Sequence, residues 1–177
     1  MSESEDCRPT GVWWICYNIV MNYRRLYIDG HSYFITMVTH NRTPLLIENI
    51  DLLRYAFKLS KKKYHYHIDA IVILPDHLHM IITPQNYKEY PKIITHIKRS
   101  FVYGLDSTLK DEAKMNLSSS KYRRQHSGVW QDRYYEHTIR DDADWYDKME
   151  YIHYNPLKHE LVDNIDDWKY SSFYKSP

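Results

Sequence analysis

Residues 66–83 read YHIDAIVILPDHLHMIIT. This stretch is rich in β-branched and apolar residues, which predict strands, and a Pro-Asp pair interrupts it. We therefore expect a central strand over Tyr66–Leu74 and a second strand, antiparallel to the first, over His77–Thr83.

The patterns on either side of this stretch add further strands and helices. The predicted strands cover Tyr33–Thr39 and Val129–Ile139, and the predicted helices cover Ile50–Lys62, Tyr90–Tyr103 and Asp141–Tyr154. Residues 105–128 are polar, and we expect them to form a mobile or partly helical insert. Few helices beside a mostly antiparallel sheet predict an α+β sandwich of the ferredoxin-like kind, with the helices on one face.

Composition bounds the classes of function. The chain has 177 residues and a formal net charge of only +1, so no global field attracts it to nucleic acid, and any such binding must use local basic clusters. Its four glycines form no glycine-rich phosphate loop, so we expect no nucleotide cofactor. No run of about 18 apolar residues occurs, and we expect a cytoplasmic protein with two reduced cysteines.

The first twenty residues differ in character from the rest. They are acidic and then apolar, whereas a basic and aromatic segment opens at Met21. We predict that residues 1–20 are a disordered N-terminal extension and that residues 21–177 form one domain.

Two histidines open the second strand of the quoted stretch. Because side chains alternate between the faces of a sheet, His77 and His79 should point the same way, roughly 7 Å apart. Two imidazoles at that separation can bind one metal ion. The alternative is a pair of half-exposed histidines without a ligand, since such pairs also arise by chance in a chain with 11 histidines.

A tyrosine and an asparagine lie four residues apart on the last predicted helix. Tyr151 and Asn155 should therefore share a face, although Pro156 is expected to end the helix there. A phenol is a poor nucleophile until nearby positive charge favours the phenolate, which a divalent cation can do. The alternative for Tyr151 is a place in the core, since the chain has 18 tyrosines.

Five motifs occur in order and together resemble a known family. They are Tyr23-Arg24-Arg25 with Tyr33-Phe34, then Leu74 to His79, then Trp130 to His137, then Tyr151 to Val162, which reads YIHYNPLKHELV, and finally Asp167 to Ser172. This set resembles the single-tyrosine HUH transposases, in particular the REP-associated tyrosine transposases of bacteria, over about residues 21–174. Glu160 is a departure, because the family often has glycine there.

The resemblance implies a fold, a cofactor and a reaction. It implies a ferredoxin-like fold, a divalent metal (Mg²⁺ or Mn²⁺) and nicking of single-stranded DNA near a hairpin, which leaves a 5′-phosphotyrosine and a free 3′-hydroxyl. His77 and His79 would then be metal ligands, Asn155 the third ligand and Tyr151 the nucleophile. A monomer is expected rather than a homodimer.

Five basic residues are candidate DNA contacts, because they lie in or beside these motifs: Arg24, Arg25, Arg133, Arg140 and Lys158. Each could instead be an ordinary surface charge. Two other functions stay open at this point. One is a metal-dependent nuclease that uses water, with Tyr151 merely structural, and the other is a DNA-binding module of the same fold without catalysis.

Overall fold

A computed structural model describes residues 30–175. The strands are β1 (Tyr33–Val38), β2 (Tyr66–Ile73), β3 (His77–Pro84) and β4 (Tyr135–Thr138), and the helices are α1 (Ile50–Lys63), α2 (Tyr90–Gly104), α3 (Ser107–Met115), α4 (Ser119–Arg123) and α5 (Asp142–Lys158). Short 3₁₀ turns occupy His40–Arg42, Tyr87–Glu89 and Ile165–Asp167. The predictions for residues 1–20, and for Arg24 and Arg25, concern positions outside the described residues.

The strands form one antiparallel sheet in the order β2-β3-β1-β4. β3 lies in its interior, and its residues are buried except for Thr83. Leu78, Met80 and Ile82 point to one face, and His77, His79 and Ile81 lie on the other, as the alternation of a strand requires.

The larger core lies between the sheet and the helices α1 and α2. Both helices place an apolar face on it, with Leu53 and Phe57 from α1 and Ile94, Ile97 and Phe101 from α2. The predicted ferredoxin-like α+β sandwich is confirmed, with α1 and α2 packed on one face of an antiparallel sheet. Trp130 is also buried in this core.

The last helix, α5, lies against the opposite face, over β2 and β3. Ile152 of α5 packs there with Phe34, Val72 and Ile81 in a second, smaller cluster. This arrangement places the C-terminal half of α5 over the two histidines of β3.

The end of α5 differs from the prediction. We expected Pro156 to end the helix, but α5 continues to Lys158. Proline removes one helical N–H donor, and here that loss falls in the last turn. The amides of Glu160 and Leu161 instead donate to the carbonyls of Leu157 and Pro156, and Glu160 adopts a left-handed φ of 54°. This is the Schellman arrangement that usually employs glycine at the Glu160 position.

The predicted strand over Val129–Ile139 is wrong in its first half, because only Tyr135–Thr138 is a strand. Thr36 pairs with Tyr135, whereas the next contact is a bridge between Thr39 and Trp130. Residues 37–38 therefore face residues 131–134, so the later segment bulges away from the sheet and carries Arg133 outward.

The insert (residues 105–128) and the tail, which is the segment after α5 (residues 159–175), both pack against the rest of the domain. The insert forms α3 and α4, so its partly helical prediction is confirmed. In the tail, Ser171 bridges to Val72, and Trp168 Nε1 donates to the Ile73 carbonyl over 2.8 Å. The tail thus covers the free edge of β2, which would otherwise expose unpaired backbone groups. Among residues 30–175, no helix is both long and apolar enough to cross a membrane.

Candidate active site

The two histidines of β3 meet at the end of the sheet beneath α5. His77 and His79 are 4% and 5% exposed, and their ring centroids lie 5.0 Å apart. They share a face, as predicted, and they are buried rather than half-exposed. Antiparallel pairing places them opposite Val38 and Thr36 of β1.

Each histidine has a hydrogen-bond partner at Nδ1. The carboxylate of Asp76 lies 2.5 Å from Nδ1 of His77, and the hydroxyl of Thr36 lies 2.8 Å from Nδ1 of His79. Nε2 of His79 is buried without a hydrogen-bond partner. A buried polar atom without a partner is unusual, and it is consistent with a ligand position.

Tyr151 projects from α5 onto this pair. Its ring centroid lies 5.0 Å from that of His79 and 5.7 Å from that of Phe34, and the ring is half-buried. Lys158 lies two turns further along α5, with its Nζ 5.4 Å from the Tyr151 ring centroid. A phenol, an imidazole and an ammonium group are thus brought together.

Asn155 lies one helical turn after Tyr151, on the same face of α5. Its side chain is 1% exposed, and neither Oδ1 nor Nδ2 has a hydrogen-bond partner. Burying an amide without hydrogen bonds costs free energy, so the Asn155 side chain is a candidate ligand-binding group. The continuation of α5 through Pro156 keeps Asn155 within the helix.

Burial sets the protonation of the histidines. Burial lowers the pKa of His77 and, more strongly, that of His79 below the ordinary value. Burial alone would raise the pKa of Asp76, but the hydrogen bond from His77 and the nearby Arg42 guanidinium hold it below its ordinary value. At neutral pH the imidazoles are therefore neutral, which is the form that binds metal.

These groups fit a divalent metal. The candidate donors are two imidazoles, which on ligand preference alone suit softer ions than Mg²⁺ or Mn²⁺, and an amide oxygen, which suits both of these ions. Within residues 30–175, no group of three or more histidine, cysteine, aspartate or glutamate side chains is arranged to hold a metal ion. The amide of Asn155 is therefore the candidate third ligand.

His159 was not assigned from the sequence. Its ring centroid lies 5.0 Å from that of His77, because His159 is the residue that caps the C-terminus of α5. Its spacing of four from Asn155 was the available signal. The spacing was not recognised as a signal, because the helix was expected to end at Pro156.

Three of the candidate DNA contacts lie within the described residues, and they occupy different places relative to Tyr151. Lys158 is beside it, as described above. Arg133 lines a hollow of about 370 Å³ with His40 and Lys121, on the bulge after Trp130. Arg140 precedes the N-terminus of α5, so it lies at the opposite end of that helix from Lys158. Its Nε is 3.8 Å from a carboxylate oxygen of Asp144, and its side chain is 75% exposed.

Comparisons with known proteins identify relatives of this chain. The family model described as "Transposase IS200 like" matches residues 27–155. A Haemophilus influenzae protein provisionally named a REP-associated tyrosine transposase is 40% identical over 156 residues, which cover 87% of this chain and 86% of the relative. An Escherichia coli REP-associated tyrosine transposase is 32% identical over 155 residues, which cover 86% and 82%.

A solved structure has the same fold. It is described as a REP-associated tyrosine transposase bound to a REP hairpin, and it superposes with a TM-score of 0.70 at 30% identity. The superposition covers 87% of this chain and 83% of the other chain.

Proposed function

This chain belongs to the family of IS200-like transposases, and we propose that it cuts and rejoins one strand of hairpin-containing repeat DNA with Tyr151 as its nucleophile. The observation that carries the proposal is the position of the Tyr151 ring, 5.0 Å from the His79 ring centroid. Beside it, Nε2 of His79 and the amide of Asn155 have no hydrogen-bond partner.

In the proposed reaction, the phenolic oxygen of Tyr151 attacks a backbone phosphorus atom as the phenol loses its proton. The bond between phosphorus and the 3′-oxygen breaks, and that oxygen takes up a proton and leaves as a 3′-hydroxyl. The 5′-end stays attached to Tyr151 as a phosphotyrosine ester. A 3′-hydroxyl can then attack this ester and release the phenol, which restores a phosphodiester bond without external energy.

His77, His79 and Asn155 are the proposed holders of a divalent cation, Mg²⁺ or Mn²⁺. Such an ion favours the phenolate and polarises the phosphate that is attacked. Lys158 adds positive charge above the Tyr151 ring, where it favours the phenolate and attracts the DNA backbone.

The proposed partner is single-stranded or hairpin DNA, on the strength of the relative that is bound to a REP hairpin. Arg24, Arg25, Arg133, Arg140 and Lys158 are the proposed phosphate contacts. We also propose that the chain acts as a monomer in the cytoplasm, that residues 21–177 suffice for the domain, and that no nucleotide cofactor takes part.

The test compares two single-atom changes on one helix. The purified chain and its Tyr151→Phe and Tyr154→Phe variants are incubated with Mn²⁺ and a hairpin oligonucleotide taken from repeats that flank the gene. Tyr154 is the matched control, because it is exposed on α5 three residues from Tyr151. We expect a covalent protein–DNA adduct that maps to Tyr151 by mass spectrometry, and its loss only in Tyr151→Phe.

Other outcomes separate the alternatives. Cleavage without an adduct would point to a nuclease that uses water. Binding without cleavage, on an oligonucleotide that a REP-associated relative does cut, would point to a DNA-binding module without catalysis.

A further inference from the structure

We infer that Asp76, which is held by Arg42, and Thr36 are positioning residues that fix the tautomer and ring orientation of His77 and His79, so that both imidazoles present Nε2 to the divalent ion. The inference rests on the proposed metal site. It concerns residues outside the proposed ligand set, and its central measurement is made on the metal-free protein.

The contact between Asp76 and His77 determines which nitrogen of His77 carries the proton. An ionised carboxylate only accepts hydrogen bonds, so Nδ1 of His77, 2.5 Å away, must be the donor. In the neutral ring, Nε2 then carries the free lone pair. Carboxylates and other acceptors commonly set the tautomer of metal-bound histidines in this way.

Arg42 and the backbone hold Asp76 in place. The Arg42 guanidinium donates to the second carboxylate oxygen of Asp76 over 2.7 Å. The carbonyl of Asp76 accepts from both the amide and the hydroxyl of Thr39, each at 2.9 Å. The carboxylate is thus fixed from two sides, with His77 on one oxygen and Arg42 on the other.

The turn that carries Arg42 is strained. Asn41 and Arg42 are consecutive residues with left-handed φ values of 53° and 55°. This conformation is uncommon for residues other than glycine, and it persists only where the surroundings enforce it. The turn places the Arg42 guanidinium within hydrogen-bond distance of the Asp76 carboxylate. The strained backbone therefore supports a functional role for the contact between Arg42 and Asp76.

Thr36 has the corresponding role for His79. The two residues are cross-strand neighbours in β1 and β3, and Oγ1 of Thr36 lies 2.8 Å from Nδ1 of His79. If Nδ1 donates to this hydroxyl, the lone pair is on Nε2, which is the buried nitrogen without a partner. In that arrangement the two histidines have the same polarity, with Nδ1 as the donor and the lone pair on Nε2.

The same sheet supplies a matched control for Asp76. Nδ1 of His67 lies 2.9 Å from Asp69 on β2, and its side chain is 75% exposed. This pair is chemically alike but is remote from Tyr151 in the sheet, at the far end of β2. Asp69→Ala therefore removes a carboxylate from an imidazole without touching the candidate site.

The experiment measures histidine tautomers by ¹H–¹⁵N NMR on the metal-free protein and Mn²⁺ affinity by calorimetry. The variants are Asp76→Ala, Asp76→Asn, Thr36→Val and Asp69→Ala. In the wild type we expect both site histidines to be protonated at Nδ1 alone. Asp76→Ala should give mixed tautomers of His77 and bind Mn²⁺ about 10- to 100-fold more weakly, and Thr36→Val should do the same through His79.

Asp76→Asn offers one acceptor oxygen where Asp76 serves two donors, Arg42 and His77. Because a guanidinium can only donate, the Asn oxygen should face Arg42 and the amide NH₂ should donate to Nδ1 of His77, which reverses the His77 tautomer and weakens Mn²⁺ binding. Asp69→Ala should match the wild type. If Asp76→Ala does not fold, Asp76→Asn and Thr36→Val decide the matter. The inference is overturned if wild-type His77 or His79 carries its proton on Nε2, or if Asp76→Ala and Thr36→Val keep the wild-type tautomers. A wild type that has the expected tautomers but binds no Mn²⁺ would support the orienting role and remove the proposed metal site.

Discussion

His79 combines nearly complete burial with a ring nitrogen that has no partner. An imidazole in that position resists protonation, because a charged ring would lose its hydration without gaining an ion pair. A buried ring nitrogen without a partner costs stability, and the proposed metal site would account for its place beneath α5.

The stability of the metal-free chain should accordingly fall in mild acid. The pKa of His79 in the folded chain lies well below the ordinary 6.5, so below about that pH the unfolded chain binds a proton that the folded chain does not. The stability is full above this pH and is lost as pH falls, by at most about 1.4 kcal/mol per pH unit for one such group. Urea unfolding with a chelator at pH 7.5 and 5.5 measures this loss.

His79→Gln should reduce the loss between the two pH values, because glutamine does not titrate. His67→Gln, at a largely exposed ring on β2, is the control. An equal loss in the wild type and in His79→Gln would show that other groups carry the acid sensitivity.

Gly128 joins the insert to the core in a conformation that glycine alone adopts freely. Its φ is +74°, and a Cβ there would overlap the carbonyl of Ala113 in α3. Gly128→Ala should therefore lower the free energy of unfolding by more than the roughly 1–2 kcal/mol that a left-handed residue costs. Gly30→Ala isolates that cost, because Gly30 has a φ of +73° and no other atom of the described residues 30–175 would lie within 4 Å of the added Cβ. Equal losses in denaturant unfolding would rule out the backbone contact.

At the scale of elements, local periodicity located most of the fold. The centres of β1, β2, β3, α1 and α2 follow from alternating or helical spacing, because these elements bury a face over their whole length. The bulge over residues 131–134 depends on how two distant strands meet, and no local pattern encodes that register. The end of α5 was missed because Pro156 was expected to stop the helix, whereas it lies within the last turn.

Glu160 provides a stability test of the Schellman turn at the end of α5. Glu160→Gly should raise the free energy of unfolding by roughly 1 kcal/mol, because glycine adopts φ values near +54° without steric cost. Glu150→Gly on the exposed side of α5 should lower it by about the same amount, since glycine weakens a helix interior. Thermal unfolding of both variants checks the opposite signs. A loss of stability in Glu160→Gly would mean that the glutamate side chain itself stabilises the end of α5.

At the scale of the molecule, the sequence located the histidine pair and the tyrosine helix but not the groups that orient them. His77, His79, Tyr151 and Asn155 lie in two short motifs, and strand and helix periods place each pair on one face. Arg42 contacts Asp76, which lies 34 residues later in the sequence. His159, at the end of α5, lies beside His77 of β3. Such contacts depend on tertiary packing, which one sequence does not reveal.

The charge of the whole chain predicts how salt affects DNA binding. With a formal net charge of +1, binding must rely on a few local cations rather than on an overall field. Each cation that contacts a phosphate contributes roughly 0.7–0.9 to the slope of log affinity against log salt concentration. Lys158→Ala, Arg133→Ala and Arg140→Ala should each reduce the slope by about that amount in a fluorescence titration with hairpin DNA.

Lys92→Ala is the matched control, because Lys92 lies on α2, on the other face of the sheet, and is paired with Glu89 at 3.7 Å. It should leave the slope unchanged. Arg140 is the most informative of the three residues, because it lies at the N-terminal end of α5, away from Tyr151. A wild-type slope in Arg140→Ala together with a reduced slope in Lys158→Ala would confine the DNA to the C-terminal end of α5. Reduced slopes in both would mean that the DNA backbone follows the length of α5, and a wild-type slope in all three variants would move the DNA to another surface.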